Sequence, residues 1–191
     1  MVNVAHNGDP SHSKEVLVNY VQNKTSYQVK GKGVVMACYN AMIPHIVPDI
    51  PKEQAAALKR NMRIPLFYST VGLKNWRAIK EIEMGVAISP GNMHQAVLMD
   101  FPTSMGGHHC TKSPDDACVI LMVGCPYGET VGAPPIQQFR EARFRMLSLD
   151  FADYEKEIRE HLTGMLPKGS FDFDRDVDSI TVNRWSRGYG N

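Results

Sequence analysis

Long apolar stretches are lacking in this sequence. The strongest, Val34-Val35-Met36-Ala37-Cys38 and residues 118–123, fall far short of the roughly 20 residues that a membrane-spanning helix needs. The N-terminus has no basic segment followed by an apolar one, so no targeting signal is read there. An excess of either charge is also lacking: Lys plus Arg number 21 against Asp plus Glu 20, interspersed along the chain. That balance leaves no electrostatic footprint for phosphate backbones or acidic lipid, so neither nucleic acid nor membrane is expected as a partner. A soluble protein of bacterial cytoplasm or periplasm is expected, with the compartment unassigned. Cysteine is sparse and irregularly spaced (Cys38, Cys110, Cys118, Cys125), which excludes a disulfide framework and gives no paired-ligand spacing for zinc. Cys38 and Cys118 sit in apolar runs and are expected in the core.

Two catalytic signatures are absent as well. No glycine-rich loop lies between a strand and a helix, since Gly31-Lys32-Gly33 precedes a strand pattern, so the chain by itself is not expected to bind a dinucleotide. No Gly-x-Ser-x-Gly elbow occurs, and Cys110 has no evident orienting acid, which argues against nucleophilic hydrolysis.

What is present is the composition of a globular chain, 43% hydrophobic and 21% charged over 191 residues. Residues 15–21 and 25–30 alternate around the polar Gln22-Asn23-Lys24 and predict a β-hairpin. The apolar run 34–39 predicts a strand buried on both faces. Pro44, Pro48 and Pro51 interrupt the next stretch, with Pro51 placed to open a helix running to Arg60. Strands are predicted over 64–73, 85–89, 94–101 and 118–123, with a loop over 102–117. Helices follow over 136–147 and after Asp150, where Phe151, Tyr154, Ile158, Leu162 and Met165 recur on one helical face. Gly164 and Gly169 mark plausible stops, 171–178 reads as a turn, and 179–185 as a last strand. Strands in runs with helices late give an α+β class, with a mixed, mostly antiparallel sheet and helices packed on one face, preceded by the hairpin and the 34–39 strand.

Few residues stand out chemically. Asp100 is the one carboxylate embedded in an apolar strand, where it calls for a cationic partner or an amine ligand. His94 begins that strand and is a candidate ligand contact, whereas His6, His12 and His161 read as solvated. Trp185, followed by Ser186-Arg187-Gly188-Tyr189-Gly190, stands where flanking glycines let backbone pass close to a bulky partner.

Three stretches together resemble one family: Gly33-Val34-Val35-Met36-Ala37-Cys38-Tyr39-Asn40; Pro65-Leu66-Phe67-Tyr68 with Leu73-Lys74-Asn75-Trp76-Arg77-Ala78; and Thr181-Val182-Asn183-Arg184-Trp185-Ser186-Arg187-Gly188-Tyr189. With Asp100-Phe101-Pro102 they are similar to the flavin-containing amine oxidases, nearest the bacterial spermidine dehydrogenase branch. The resemblance implies a parent protein in which FAD oxidises an amine and the imine is hydrolysed. It implies residues 1–50 as a remnant of the FAD-supporting sheet, 51–182 as the substrate-binding domain, and 183–191 as the start of a return segment. Substrate contacts fall on Trp185, Tyr68, His94 and Asp100, and cofactor contacts on Ala37, Trp185, Gly188 and Tyr189. Catalytic residues and metal ligands are not assigned. Ile64-Pro65-Leu66 stands where many members carry a lysine that holds water at the flavin, and Ser186-Arg187 stands where the branch tends to have Pro-His. Those departures point to different water handling or to a dehydrogenase rather than a true oxidase, and to altered substrate contacts.

The leading expectation is therefore a substrate-domain fragment of an FAD-dependent, polyamine-type oxidoreductase. Alone it would be inactive and bind no FAD. Its partners would be a small amine and either the FAD-binding portion or further copies of itself, since uncovered strands favour self-association. The alternatives are a non-catalytic binding or assembly module and, less favoured, a metal protein using His108-His109-Cys110.

Overall fold

The computed structural model describes residues 2–100 and 102–190, without the side chain of Tyr189. Phe101, at the end of the strand predicted over 94–101, lies outside the described residues. The chain divides into two compact units, the first ending at Met62 and the second spanning Arg63–Gly190.

The first unit holds an antiparallel sheet of β1 (Asn3–His6), β2 (Val16–Gln22) and β3 (Thr25–Gly31), in that order. The predicted hairpin is β2–β3. Its link is only Asn23-Lys24, both at positive φ (50° and 63°), the hand that matches the twist of paired strands. Tyr20 and Tyr27 face each other across it with rings stacked 5.2 Å apart. The strand predicted over 34–39 does not form. The Ala37 amide donates to the Val35 carbonyl at 3.1 Å, which tightens the backbone out of register, and Val35 is 91% exposed. A strand needs an edge to receive its backbone groups, and an apolar run encodes burial but not that edge. Cys38 is correspondingly half-buried rather than in a core. A 3₁₀ turn at Asn40–Met42 and α1 (Ile43–Ile46) occupy the proline-interrupted stretch, with Pro44 in the first turn of α1, where a missing N–H goes unneeded. Pro51 is the N-cap of α2 (Lys52–Arg60), not its first residue.

The second unit is built on a five-stranded antiparallel sheet, ordered β5 (Val86–Ile88), β6 (Ala96–Met99), β7 (Cys118–Gly124), β4 (Arg63–Leu73), β8 (Val177–Gly190). Phe67, Ser69, Val71 and Leu73 of β4 are buried, while Leu66, Tyr68, Thr70 and Gly72 between them are only half-buried. Helices lie on the buried side, as predicted. Ala78 and Ile79 of α3 (Arg77–Glu81) join Val71, Val97, Ile120 and Met122 in one core with Ile158 and Leu162. Met146 of α4 (Pro135–Ser148) packs with Phe67 and Tyr154. The first turn of α5 (Phe151–Met165) is closed by a capping box: Asp150 accepts from the Asp153 amide at 3.1 Å, and Asp153 accepts from the Asp150 amide at 3.0 Å. Gly164 lies inside α5 rather than ending it, and the turn predicted over 171–178 contains α6 (Phe173–Asp176). No helix among the described residues is long and apolar enough to cross a membrane.

Asp176 ends α6 and ties it to β4: its carbonyl accepts from the Lys74 amide, and its carboxylate accepts from Arg175, Asn75 and the Asp172 amide. The Arg175 hydrogen bonds, against the opposing effect of burial, hold its pKa at about 2, below the ordinary 3.8. This stabilisation is complete above about pH 4 and is lost as pH falls toward 2. Arg175 is mostly exposed, so solvent screening limits the contribution to about 1–2 kcal/mol. In urea titrations at pH 5 and 2.5, Asp176→Asn should lose less stability on acidification than the parent by that amount. Equal losses would remove Asp176 from the account.

Candidate functional site

Alternation along β4 sorts the sequence-predicted residues between the two faces of the sheet. On the face away from the helices, Leu66 pairs with Trp185 and Tyr68 with Asn183, which sets Tyr68 diagonal to Trp185. Their rings lie 4.6 Å apart, tilted by 35°, and Trp185 remains 40% exposed. Gly188 follows on the same strand. A Cβ there would stand 2.5 Å from the Cβ of Leu66, so the close approach that this glycine permits is to Leu66. Tyr189 pairs with Ile64 through the backbone, and its side chain lies outside the described residues. Ala37 belongs to the first unit, in the unpaired 34–39 segment described above.

Gly72 lies four residues along β4 from Tyr68, on the same face and about 13 Å away at strand rise. Its partner is Ser179, whose Oγ would stand 2.6 Å from an added Cβ, so a side chain here would have to turn the serine hydroxyl aside. Above it opens a cavity of about 800 Å³, walled by Asp100, His108, Cys110, Trp76 and Val119. Trp76 Nε1 donates to Thr111 Oγ1 at 2.8 Å and anchors the irregular 102–117 loop over the cavity. The partner expected for Asp100 is His108, whose Nε2 lies 3.8 Å from Oδ2. Asp100 is exposed at the end of β6 rather than buried within a strand. Cys118 is buried beside the floor, and that burial pushes its thiol pKa up, away from reactivity.

His94 is not part of this face. It is fully buried on the helix side, where Phe67 packs against it edge-on at 5.0 Å and Ser69 Oγ lies 2.8 Å from its Nε2. Its Nδ1 and amide both engage the carboxylate of Glu157. Glu157 also approaches His161 Nδ1 at 3.7 Å, and His161 Nε2 lies 2.9 Å from Ser89 Oγ. Burial raises the Glu157 pKa, but the His161 and His94 interactions outweigh it and bring the group to about 2. His161 is thus buried, not solvated. Neither Glu157 nor His161 stands out by residue type, although both fall three residues after a member of the apolar face of α5, Tyr154 and Ile158. Ser69, His94 and Glu157 have the order of a nucleophile–base–acid relay, yet Ser69 is fully buried, so no acyl substrate reaches its Oγ.

The described residues do not fit the diphosphate of a dinucleotide. Gly31 ends β3 and Gly33 follows it, and the next α-helix begins only at Ile43 after a 3₁₀ turn, so no α-helix N-terminus meets a glycine loop. No family model matches the sequence, and no curated protein matches it. Solved structures do share its fold. Cyclohexylamine oxidase from Brevibacterium oxydans IH-35A aligns over 96% of this chain and 33% of its own, at 10% identity and a TM-score of 0.64. A double mutant from a structure-based redesign of cofactor binding in putrescine oxidase aligns over 95% and 32%, at 13% identity and a TM-score of 0.54. The chain therefore spans about one third of the length of these structures, and its mixed α+β, antiparallel arrangement is theirs.

Proposed function

We propose that this chain is the substrate-binding portion of an FAD-dependent amine oxidoreductase, whose open sheet face forms one wall of the pocket for an extended, polyamine-like cation. The observation that carries the reading is the Tyr68–Trp185 pair on the side of the sheet opposite the helices. Aromatic faces attract ammonium groups, and this pair stands near one end of a surface whose other end holds the Asp100 carboxylate. An amine with two cationic ends separated by a flexible chain suits both. Nearest relationship to the spermidine dehydrogenase branch rests on the motifs around Asp100 and over 181–189. The fold shared with two amine oxidases supports the family. Flavin is supplied from outside these 191 residues or by an assembled oligomer, because the phosphate cradle does not fit here. The exposed Val21, Val29 and Val35 of the first unit suit such a covering partner. By itself the chain is inactive.

Titration with a linear diamine, followed by tryptophan fluorescence, tests this. Saturable binding is expected, weakened roughly 10-fold in Trp185→Ala and much less in Trp185→Phe, which keeps an aromatic face. A diamine that binds no better than a neutral diol of equal length, or equally to Trp185→Ala, defeats the proposal. An absorbance spectrum after incubation with FAD separates this reading from a self-sufficient enzyme, because flavin bands retained by the chain would make it one. A binding module without flavin chemistry would take the amine but remain without flavin even when a complementary FAD-binding portion is added.

A further inference from the structure

We infer that His94, Glu157 and His161 form a zinc-binding site on the helix side of the sheet, independent of the amine face. They are the one group of three such side chains whose ligand atoms converge among the described residues, all lying within 4.8 Å of one another. Glu157 and His161 project from one face of α5 at i, i+4, and His94 comes from the turn before β6. Zn–N and Zn–O bonds of about 2.0–2.1 Å in a tetrahedron set ligand atoms roughly 3.3 Å apart, and His161 Nδ1 stands 3.7 Å from Glu157 Oε1.

The surroundings match what a metal requires of its ligands. Each imidazole has its Nε2 against a serine hydroxyl, Ser69 for His94 and Ser89 for His161, which leaves both Nδ1 atoms turned toward Glu157. Such outer partners hold the Nε2–H tautomer and present Nδ1 to a cation. The sharpest sign is His161 Nδ1, which is buried and makes no hydrogen bond, the Glu157 oxygen standing 3.7 Å away, in a residue only 8% exposed. A buried acceptor or donor left unpaired costs free energy unless something else engages it. Access exists: a cavity of about 610 Å³ reaches Glu157 and His161 past Ser89, Asn92 and Glu160, and can admit the ion and a water as fourth ligand. When zinc binds, the proton on His94 moves from Nδ1 to Nε2 by exchange with water, Glu157 turns from its hydrogen bond with Nδ1 to the metal, and Ser69 Oγ, which donated to Nε2, now accepts from it.

The test is direct. The purified 191-residue chain, stripped with chelator, is titrated with Zn²⁺ alone and assayed for bound metal after desalting, with Co²⁺ substituted to read tetrahedral d–d absorption. One zinc per chain is expected, with a rise in Tm of roughly 5–10 °C once free zinc is a hundredfold above Kd. His161→Asn and Glu157→Gln should each lower affinity at least 100-fold, while a His108→Asn/Cys110→Ser variant should bind as the parent does. Circular dichroism in chelator establishes that the variants are folded. Retention of less than one zinc per chain by the parent overturns the site without reference to any variant. So does binding that survives in His161→Asn or disappears with His108 and Cys110, which would move the metal to the exposed loop.

Discussion

Replacement of Phe67 by alanine is expected to lower the free energy of unfolding by about 4 kcal/mol. Phe67 is 1% exposed and stands between the sheet and α5, edge-on to His94 at 5.0 Å and to Tyr154 at 5.3 Å. Its ring also fills the space over Gly124, where an added Cβ would lie 2.2 Å from Cζ. Removing the ring empties a space walled by a strand backbone, a buried hydrogen-bonded histidine and a helix. None of the three can move inward without breaking other bonds, so the cavity should persist rather than collapse. Phe67→Leu, which keeps most of the volume, should cost about 1.5 kcal/mol or less. The measurement is urea unfolding with the slope held common. A loss below about 1 kcal/mol for the alanine variant would show that this part of the core is loosely packed.

Truncation of Glu157 to alanine is expected to cost about 3 kcal/mol, measured in chelator so that metal plays no part. The carboxylate accepts from both the amide and the ring of His94, a residue with no exposure of its own, and without it both donors are stranded in the interior. Glu157→Gln keeps a carbonyl oxygen at nearly the same place and should cost about 1 kcal/mol. The ratio between the two variants is the informative quantity. Equal small losses would mean that water replaces the side chain through the adjoining cavity, and equal large losses would mean that the charge itself, rather than the acceptor, holds His94.

Much of the second unit was legible from periodicity. The β-branched, aromatic and aliphatic run 64–73, the apolar face Tyr154-Ile158-Leu162 and the Asp150 cap are local patterns, and local patterns are what a chain can state about itself. The Tyr68 and Trp185 assignments came from motif resemblance, and the register of β4 with β8 is what sets their rings together. His94 was singled out as the opening residue of a predicted strand, and the bend before β6 instead sets it against Phe67 and Ser69 on the other face. Residues 34–39 show the opposite failure, because hydrophobicity was read correctly while the pairing edge that makes a strand is a property of the whole fold.

By itself the sequence determined the class of the fold, the hairpin β2–β3, the cap that starts α5 and the face that this helix buries, because each depends on residues within a few positions of one another. Tertiary structure alone decided which histidine is buried, which carboxylate it meets and which aromatics share a surface. Those relations join the turn before β6 to α5, and β4 to β8, across 63 residues or more, as from His94 to Glu157, and no local pattern encodes a contact whose geometry is settled only when distant strands have found their register.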